Sequence, residues 1–426
     1  MNRFNAPAEF PRLRRLARNY ADRLTGRGRF LLLALAALAL VGVDTGRSQV
    51  FVLFACGFGV AIVSAVAAVS RRPHARLECA LPSRATAQRP LEVHARVAST
   101  RGLRRDLRLA FPPPLFASGR LHFEPAELFL AAKPETPTEV SVTMRPSRRG
   151  RYELRGPLLS PTDPLRLATG PSLSLPDQAL VVYPRFYRMD EFPIPLGRRY
   201  QPGGIPLSSS TGDAIEFVGT REYREGDPLR NIHWRSWARR GVPVVKEYEE
   251  EYFCRIALIL DTFLPAKPRP RDALAFEASI SVLASIADHF SRSEYVVDIL
   301  AAGPDIYEVS AGRSLAYLEN ILDVLACLEP CADPPFASIG PVLFDRLSQI
   351  TTVVAILQDW DAPRRDFLRR VKALGTAVQA IVVRDGPPSE PFAGAVDEIG
   401  PISQQTPADV EAAIAADASP RESARD

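Results

Sequence analysis

Two uncharged apolar runs near the N-terminus constrain this chain more than any other feature. Phe30 to Val43 reads FLLLALAALALVGV, and Val50 to Val69 reads VFVLFACGFGVAIVSAVAAV. A helix that crosses a bilayer needs about 20 apolar residues; the second run has that length and the first is short. A long basic stretch, RLRRLARNYADRLTGRGR, precedes the first run, and only DTGRSQ separates the two. With no small-residue cleavage site after the first run, the pattern argues against a removed leader and predicts a two-helix transmembrane hairpin. Arginines crowd both outer flanks, with RRPHAR after the second run and a single arginine between the runs. The positive-inside rule then places both ends of the chain in the cytoplasm, hung from the inner membrane of a bacterium.

The remaining composition is that of globular domains. The chain has 426 residues, 46% hydrophobic and 24% charged, enough for two or three folded units and too apolar for wholesale disorder. A formal net charge of +4 is too small to argue for a nucleic-acid partner. The five cysteines, at positions 56, 79, 254, 327 and 331, are odd in number and form no disulfide framework. The closest pair, in CLEPC, has no histidine or further cysteine beside it to complete a zinc site. Free thiols in a reducing compartment are the expectation.

Hydrophobic periodicity divides the soluble part. Short alternating runs such as LEVHARVAS, TEVSVTMRP and RYELRGPLL are separated by Pro- and Gly-rich turns, which predicts a small antiparallel sandwich-like β domain. Val140, Val142 and Met144 should share one face. From Arg255 the pattern changes to continuous apolar runs, RIALILD, YVVDIL, TTVVAILQD and AVQAIVVRD, alternating with helical stretches. Buried parallel strands alternating with helices predict a doubly wound α/β domain. In the first of its helices, Leu274, Ala278, Ile280, Val282, Leu283 and Ile286 form the expected buried stripe. The glycine- and serine-rich RRYQPGGIPLSSSTG, 198–212, lacks a Gly-Lys-Ser/Thr ending and a feeding strand, so it is expected to be a connector rather than a phosphate loop. The predicted organisation is α+β multidomain: a basic N-terminus (1–29), the membrane hairpin (30–70), the β-rich domain (71–190), a loop–helix–strand segment (191–251), the α/β domain (252–403), and a C-terminal helix with a disordered tail (404–426), the tail beginning at Ser419.

The segment EFVGTREYREGDPLRNIHWRSWARRG, Glu216 to Gly241, concentrates reactive residue types. Asp227-Pro228 reads as a helix start and Gly241 as a stop, predicting one helix from Pro228 to Arg240. Seven Lys/Arg stand against eight Asp/Glu between Glu216 and Glu251, so a phosphate backbone would be repelled as much as attracted. Acid–base catalysis would rest on His233 with Glu216 or Asp227, with no second histidine and no placed nucleophile. An ion-paired structural or docking element, with arginine–carboxylate forks and anchoring tryptophans, fits the residues better.

These residues also carry a family resemblance. Glu216, Phe217, Gly219, Arg221 and Tyr223, then Gly226, Asp227, Arg230, Ile232, His233 and Trp234, then Ala238, Arg239, Val245, Lys246, Glu249 and Glu251 resemble the signature of domain-of-unknown-function family 58. Trp237 stands where that pattern has a small residue. The resemblance implies the same architecture over nearly the whole chain, with an α/β part similar to a von Willebrand factor A domain. Because many such proteins are encoded beside MoxR-type AAA+ ATPases, it also implies an ATPase of that class as partner.

Three aspartates, Asp261, Asp359 and Asp385, follow predicted strands, where open α/β sheets bind ligands. A von Willebrand A metal loop would read D-x-S-x-S, whereas DTFLP keeps Asp261 and puts Phe263 and Pro265 in place of both serines. The expectation is therefore no metal and no cofactor, with Asp261 and Asp359 as remnants of a degenerate site. The sequence as a whole predicts a membrane-anchored, non-enzymatic scaffold; an enzyme using His233 on an unknown substrate is the alternative.

Overall fold

The computed structural model describes residues 23–41, 50–114, 119–134, 136–195, 215–225, 227, 229–250, 255–265, 267–292, 296–302, 306–311, 315–332 and 335–422. The expected connector at 198–212 and the loop between the apolar runs lie outside these residues. The chain forms two compact units, Met1–Pro184 and Arg185–Asp426.

The first unit opens with helices α1 (Gly26–Val41) and α2 (Val50–Ser70). They touch where Leu35 covers Gly57, its Cδ2 2.8 Å from the point a side chain on Gly57 would occupy. Among the described residues two helices are long and apolar enough to cross a membrane, α2 and Pro270–Ser291. The latter is mostly buried and serves as a core helix; α2 exposes its apolar side chains along its length. α1, at 16 residues, falls short of the length that a perpendicular span requires.

Eleven strands follow: β1 (Ala75–Cys79), β2 (Arg84–Thr86), β3 (Leu91–Ser99), β4 (Arg104–Ala110), β5 (Leu121–Glu124), β6 (Glu127–Ala132), β7 (Thr138–Pro146), β8 (Gly150–Leu154), β9 (Leu158–Pro161), β10 (Leu173–Ser174) and β11 (Gln178–Tyr183). They form three sheets, β1-β3-β7-β5, β10-β9-β4-β6 and β2-β11-β8. All pairings are antiparallel except β2 with β11. The alternation expected in β7 holds: Val142 and Met144 are buried, Val140 packs against the same core, and Glu139 and Ser141 face solvent. Val93, Ala95, Leu107, Leu109, Leu159 and Leu180 join them in one apolar core, because each strand directs every second side chain inward.

The second unit contains a two-stranded hairpin and a six-stranded sheet. The hairpin joins β12 (Ile215–Glu222) to β13 (Val244–Glu250) through a 3₁₀ turn (Leu229–Asn231) and the short helix α3 (Trp234–Arg240). The sheet comprises β14 (Arg255–Leu260), β15 (Val296–Ala302), β16 (Ile306–Ala311), β17 (Thr352–Leu357), β18 (Ala377–Val383) and β19 (Ile402–Gln405). Its helices are α4 (Pro270–Ser291), α5 (Leu315–Cys327), α6 (Pro335–Arg346), α7 (Ala362–Ala373), α8 (Ala395–Ile399) and α9 (Pro407–Glu422). Strand order is β16-β15-β14-β17-β18-β19. The chain starts at the centre, winds one way and then the other, and only the edge strand β16 runs antiparallel. β14, β17 and β18 are buried on both faces, as continuous Val/Ile/Leu runs require. Residues 185–195 strap this unit: Arg185 Nη1 donates to Glu411 at 2.9 Å, and Phe192 lies edge-on to Phe290 at 5.6 Å.

Several expectations change. Leu274 is exposed while the rest of its stripe is buried; the next two residues, Ala275 and Phe276, point into the core instead. α6, β16 and β19 were not expected; β16 and β19 are edge strands with a mixed polar pattern, and α6 carries an internal proline, Pro341. α9 begins after Thr406, whose Oγ1 accepts from Asp409 N at 3.2 Å. It runs through Ser419 to Glu422 instead of stopping before a disordered tail.

Candidate functional site

The signature segment is not one helix. Tyr223 N donates to Pro243 O at 2.9 Å, His233 N donates to Val244 O at 2.8 Å, and Ile232 bridges Val245. These bonds hold the backbone at 232–233 against β13 and interrupt the helix expected over Pro228–Arg240. His233, not Asp227, caps the surviving helix: its Nδ1 accepts from Ser236 N at 3.2 Å and lies 2.6 Å from Ser236 Oγ. Gly241 ends α3 in the left-handed conformation, φ 73°, which glycine adopts without a Cβ penalty.

Asp227 has a different task. Arg221 Nη1 and Nη2 donate to its two oxygens at 2.7 and 2.8 Å, and Arg224 N donates at 2.8 Å. The Arg221 fork and then the Arg224 amide hold its carboxyl down at about 2. The structure thus joins Arg221 and Asp227 in the kind of fork the residues implied. It does not bring carboxylates to Arg235 and Arg239 among the described residues. Tyr223 lies at the end of the hairpin, Trp234 is 65% exposed, and its ring stacks on Trp237 at 5.3 Å. Register puts Glu216 opposite Glu249 and Phe217 opposite Tyr248. The side chains of Glu216, Phe217 and Arg230, and Gly226 altogether, lie outside the described residues. With Nδ1 engaged as a cap, Nε2 is the ring nitrogen of His233 left for proton transfer.

At the carboxyl ends of the five parallel strands, the chain leaves the neighbouring strands β14 and β17 toward opposite edges of the sheet, which makes the switch point where such sheets bind ligands. Asp261 and Gln358 follow these strands. Asp261 is fully buried, and its oxygens accept from Phe263 N (3.1 Å), Gln358 N (3.0 Å) and Arg364 Nε (2.7 Å), with Arg364 Nη2 at 2.6 Å. Arg364 also pairs with Asp361, the N-cap of α7. Burial works against the Arg364 cation, but the carboxylates of Asp261 and Asp361 outweigh it and raise its pKa. A guanidinium therefore sits on the one aspartate that the degenerate metal loop retains, and a cation would have to displace it. Asp359 is engaged too, by Trp360 N, by Ser389 N and Oγ, and by Arg384. Burial pushes its carboxyl up, yet Ser389, Arg384 and Trp360 together hold it below the usual range. Asp385 is exposed. Between these groups opens a crevice of roughly 210 Å³, lined by Phe263, Leu264, Arg271, Asp359, Arg384 and Asp385 among others. Among the described residues no group of three or more His, Cys, Asp or Glu could hold a metal ion.

A third constellation, in the first unit, escaped the sequence reading. Asp163, fully buried, accepts from Leu167 N and Ala168 N at 2.7 Å, from Leu165 N at 2.9 Å and from Ser64 Oγ of α2 at 3.1 Å. The same loop binds the start of α1: Thr25 N donates to Leu167 O at 3.1 Å and Thr169 N to Arg23 O at 2.7 Å. Contact is close enough that a Cβ on Gly28 would lie 2.0 Å from Leu167 O, and one on Gly170 2.3 Å from Ala68 O. The available signal was Asp-Pro followed by amides at turn spacing, together with a lone serine in an apolar helix. The described cysteines, 56, 79, 327 and 331, are free thiols, and burial pushes the Cys79 thiol up to about 11.

Comparison with known proteins gives matches over parts of the chain. Over 112 residues the chain is 31% identical to an uncharacterized protein, YeaD, of Bacillus subtilis (strain 168). The match covers 26% of this chain and 25% of that protein, so the chain spans about a quarter of the length of the curated relative it matches. Similar solved structures include the SpRpn10 VWA domain, at 11% identity over 36% of this chain and 88% of that one, TM-score 0.24. A CARDB domain from Pyrococcus furiosus, solved with di-metal ions, gives 10% identity over 26% of this chain and 88% of that one, TM-score 0.17. A C-terminal region of the chain, residues 219–411, matches the family described as protein of unknown function DUF58.

Proposed function

We propose that this protein is a membrane-tethered, non-enzymatic scaffold whose α/β domain, of von Willebrand A type, docks a protein partner in the cytoplasm. The observation that carries the reading is the crest of the six-stranded sheet. Its inner carboxylates are consumed by Arg364, Arg384 and backbone amides, while the crevice rim, with Asp385 and Arg271, stays open to solvent. A site with its reactive groups satisfied internally suits recognition rather than turnover. Tethering falls to α2, paired with α1 as a transmembrane hairpin and locked to the β domain through Asp163. The arginine flanks support a cytoplasmic orientation at the bacterial inner membrane. The family resemblance nominates a MoxR-type AAA+ ATPase as the partner, in a chaperone-like or envelope-assembly role.

Co-purification from native membranes with a MoxR-type AAA+ ATPase tests this. The wild-type chain should retain the ATPase, and charge reversal at the rim, Asp385→Arg with Arg271→Glu, should release it while the fold persists. Absence of association, or rim variants that hold the ATPase as wild type does, would defeat the reading.

A further inference from the structure

The hairpin of the second unit separates its charges along its length. Between residues 221 and 245 the closing end carries six arginines against three acids. The β13 glutamates lie away from it: Glu247 stands opposite Gly219, Glu249 opposite Glu216 and Glu250 opposite Ile215, whereas the closing end is marked by Glu222 opposite Val244. At about 3.3 Å per residue, Glu250 is roughly 20 Å from that end. Of the three acids near the arginines, Asp227 is consumed by Arg221, and Glu222 and Glu225 are exposed.

The closing end also exposes apolar surface. α3 reads WRSWARR, with no acid, and Arg235, Arg239 and Arg240 are exposed. Among the described residues no carboxylate pairs with them. Trp234 stacks on Trp237, and Leu229 (68% exposed) and Val242 (43%) flank the helix. A stacked indole pair, Trp234 exposed and Trp237 half-buried, set among arginines matches the chemistry of an anionic bilayer interface, where indoles settle at the headgroup level and each basic residue adds attraction to acidic lipid.

We propose that the α3 end of the hairpin, through Trp234, Trp237, Arg235, Arg239 and Arg240, is a second membrane contact that seats on anionic phospholipid. This rests on the reading of α2 as a membrane anchor. An anchored chain meets lipid at high effective concentration, which strengthens the engagement of a patch that also binds lipid by itself. An acidic protein surface shares the charge but has no such advantage.

The chain contains three tryptophans, and the third, Trp360, is fully buried, so accessible indole emission reports the patch directly. The full chain would be reconstituted into nanodiscs of phosphatidylcholine alone or with phosphatidylglycerol. In the anionic discs the emission should shift to the blue, acrylamide quenching should fall about twofold as the indoles leave water, and brominated lipid should quench. High salt, or the R235Q/R239Q/R240Q variant with unchanged circular dichroism, should restore the emission seen in phosphatidylcholine. Emission that stays water-like in anionic discs, or shifts equally in both lipids, overturns the proposal. So does emission blind to lipid that shifts when polyglutamate is added, which would assign the patch to an acidic protein. If the chain fails to enter the discs, the anchor reading fails by itself. Anionic vesicles added to the chain then decide the patch: a blue shift sustains it and none overturns it.

Discussion

Asp163 in the first unit and Asp261 in the second are both fully buried aspartates, yet they are held differently. Asp163 gathers three backbone amides and a serine hydroxyl, with no cation paired to it among the described residues. Asp261 gathers two amides and the Arg364 guanidinium. The first arrangement depends on one loop keeping its shape against two helices. The second is a pair of opposite charges, and pairs can be exchanged together. A buried ion pair costs nearly as much desolvation as it returns, whereas removing one partner strands the other.

That contrast can be broken experimentally. Arg364→Ala should be the most damaging single change, lowering local stability at the sheet crest by about 3–5 kcal/mol because Asp261 stays buried without its counter-charge. Hydrogen exchange of the β14 and β17 amides would record it. Removing both charges, as D261N/R364M, should recover part of that loss, because asparagine keeps an oxygen for one of the two amides at that position; a double variant as exposed as the single one would show that the pair acts through geometry rather than charge. Asp163→Ala should cost about 3 kcal/mol by orphaning Leu165 N, Leu167 N and Ala168 N, and no second substitution should restore it. Loss of exchange protection confined to 161–170 would support this, and unchanged protection would remove the clamp from the argument.

His233→Ala should cost about 1 kcal/mol, the worth of a helix cap, seen as fraying of α3 with cellular function retained. Loss of function with α3 intact would revive the catalytic alternative. Smallest is the pH effect at Asp227. Its folded carboxyl is held at about 2, below the unfolded value near 4. The stabilisation by Arg221 is therefore complete above about pH 4 and fades as pH falls through about 2. Carbon-detected titration of Asp227 should show ionisation persisting to that range, and a midpoint near 4 would mean that the fork does not form in solution.

Much of the architecture was legible from the chain. Period-two alternation at Val140, Val142 and Met144 placed the β core, and the runs RIALILD and AVQAIVVRD placed two central strands, because burial on both faces leaves no room for polar positions. β16 and β19 were less legible, since edge strands tolerate polar residues and so lose the signal. The helix expected from Asp227-Pro228 failed for a different reason. Local capping preference at that dipeptide is worth about 1 kcal/mol, and it was overridden by backbone bonds from Tyr223 and His233 to Pro243 and Val244, residues that meet only in the folded hairpin.

At the candidate sites the division is sharper. DTFLP already showed that the serine ligands of a metal loop are missing, but nothing in APRRDF distinguishes Arg364 from its neighbour Arg365. Only the sheet, by setting β14 beside β17, brings α7 to Asp261. Likewise PTDPLRLATG announces a turn and not its partner, 99 residues away at Ser64. The sequence by itself determined the two apolar runs, the β and α/β fold types and the balance of charge in the signature, since each depends on local periodicity and composition. Tertiary structure decided which carboxylates are spent and which arginines remain open to a surface, because a buried charge is satisfied by whatever the fold places within about 3 Å, regardless of its distance along the chain.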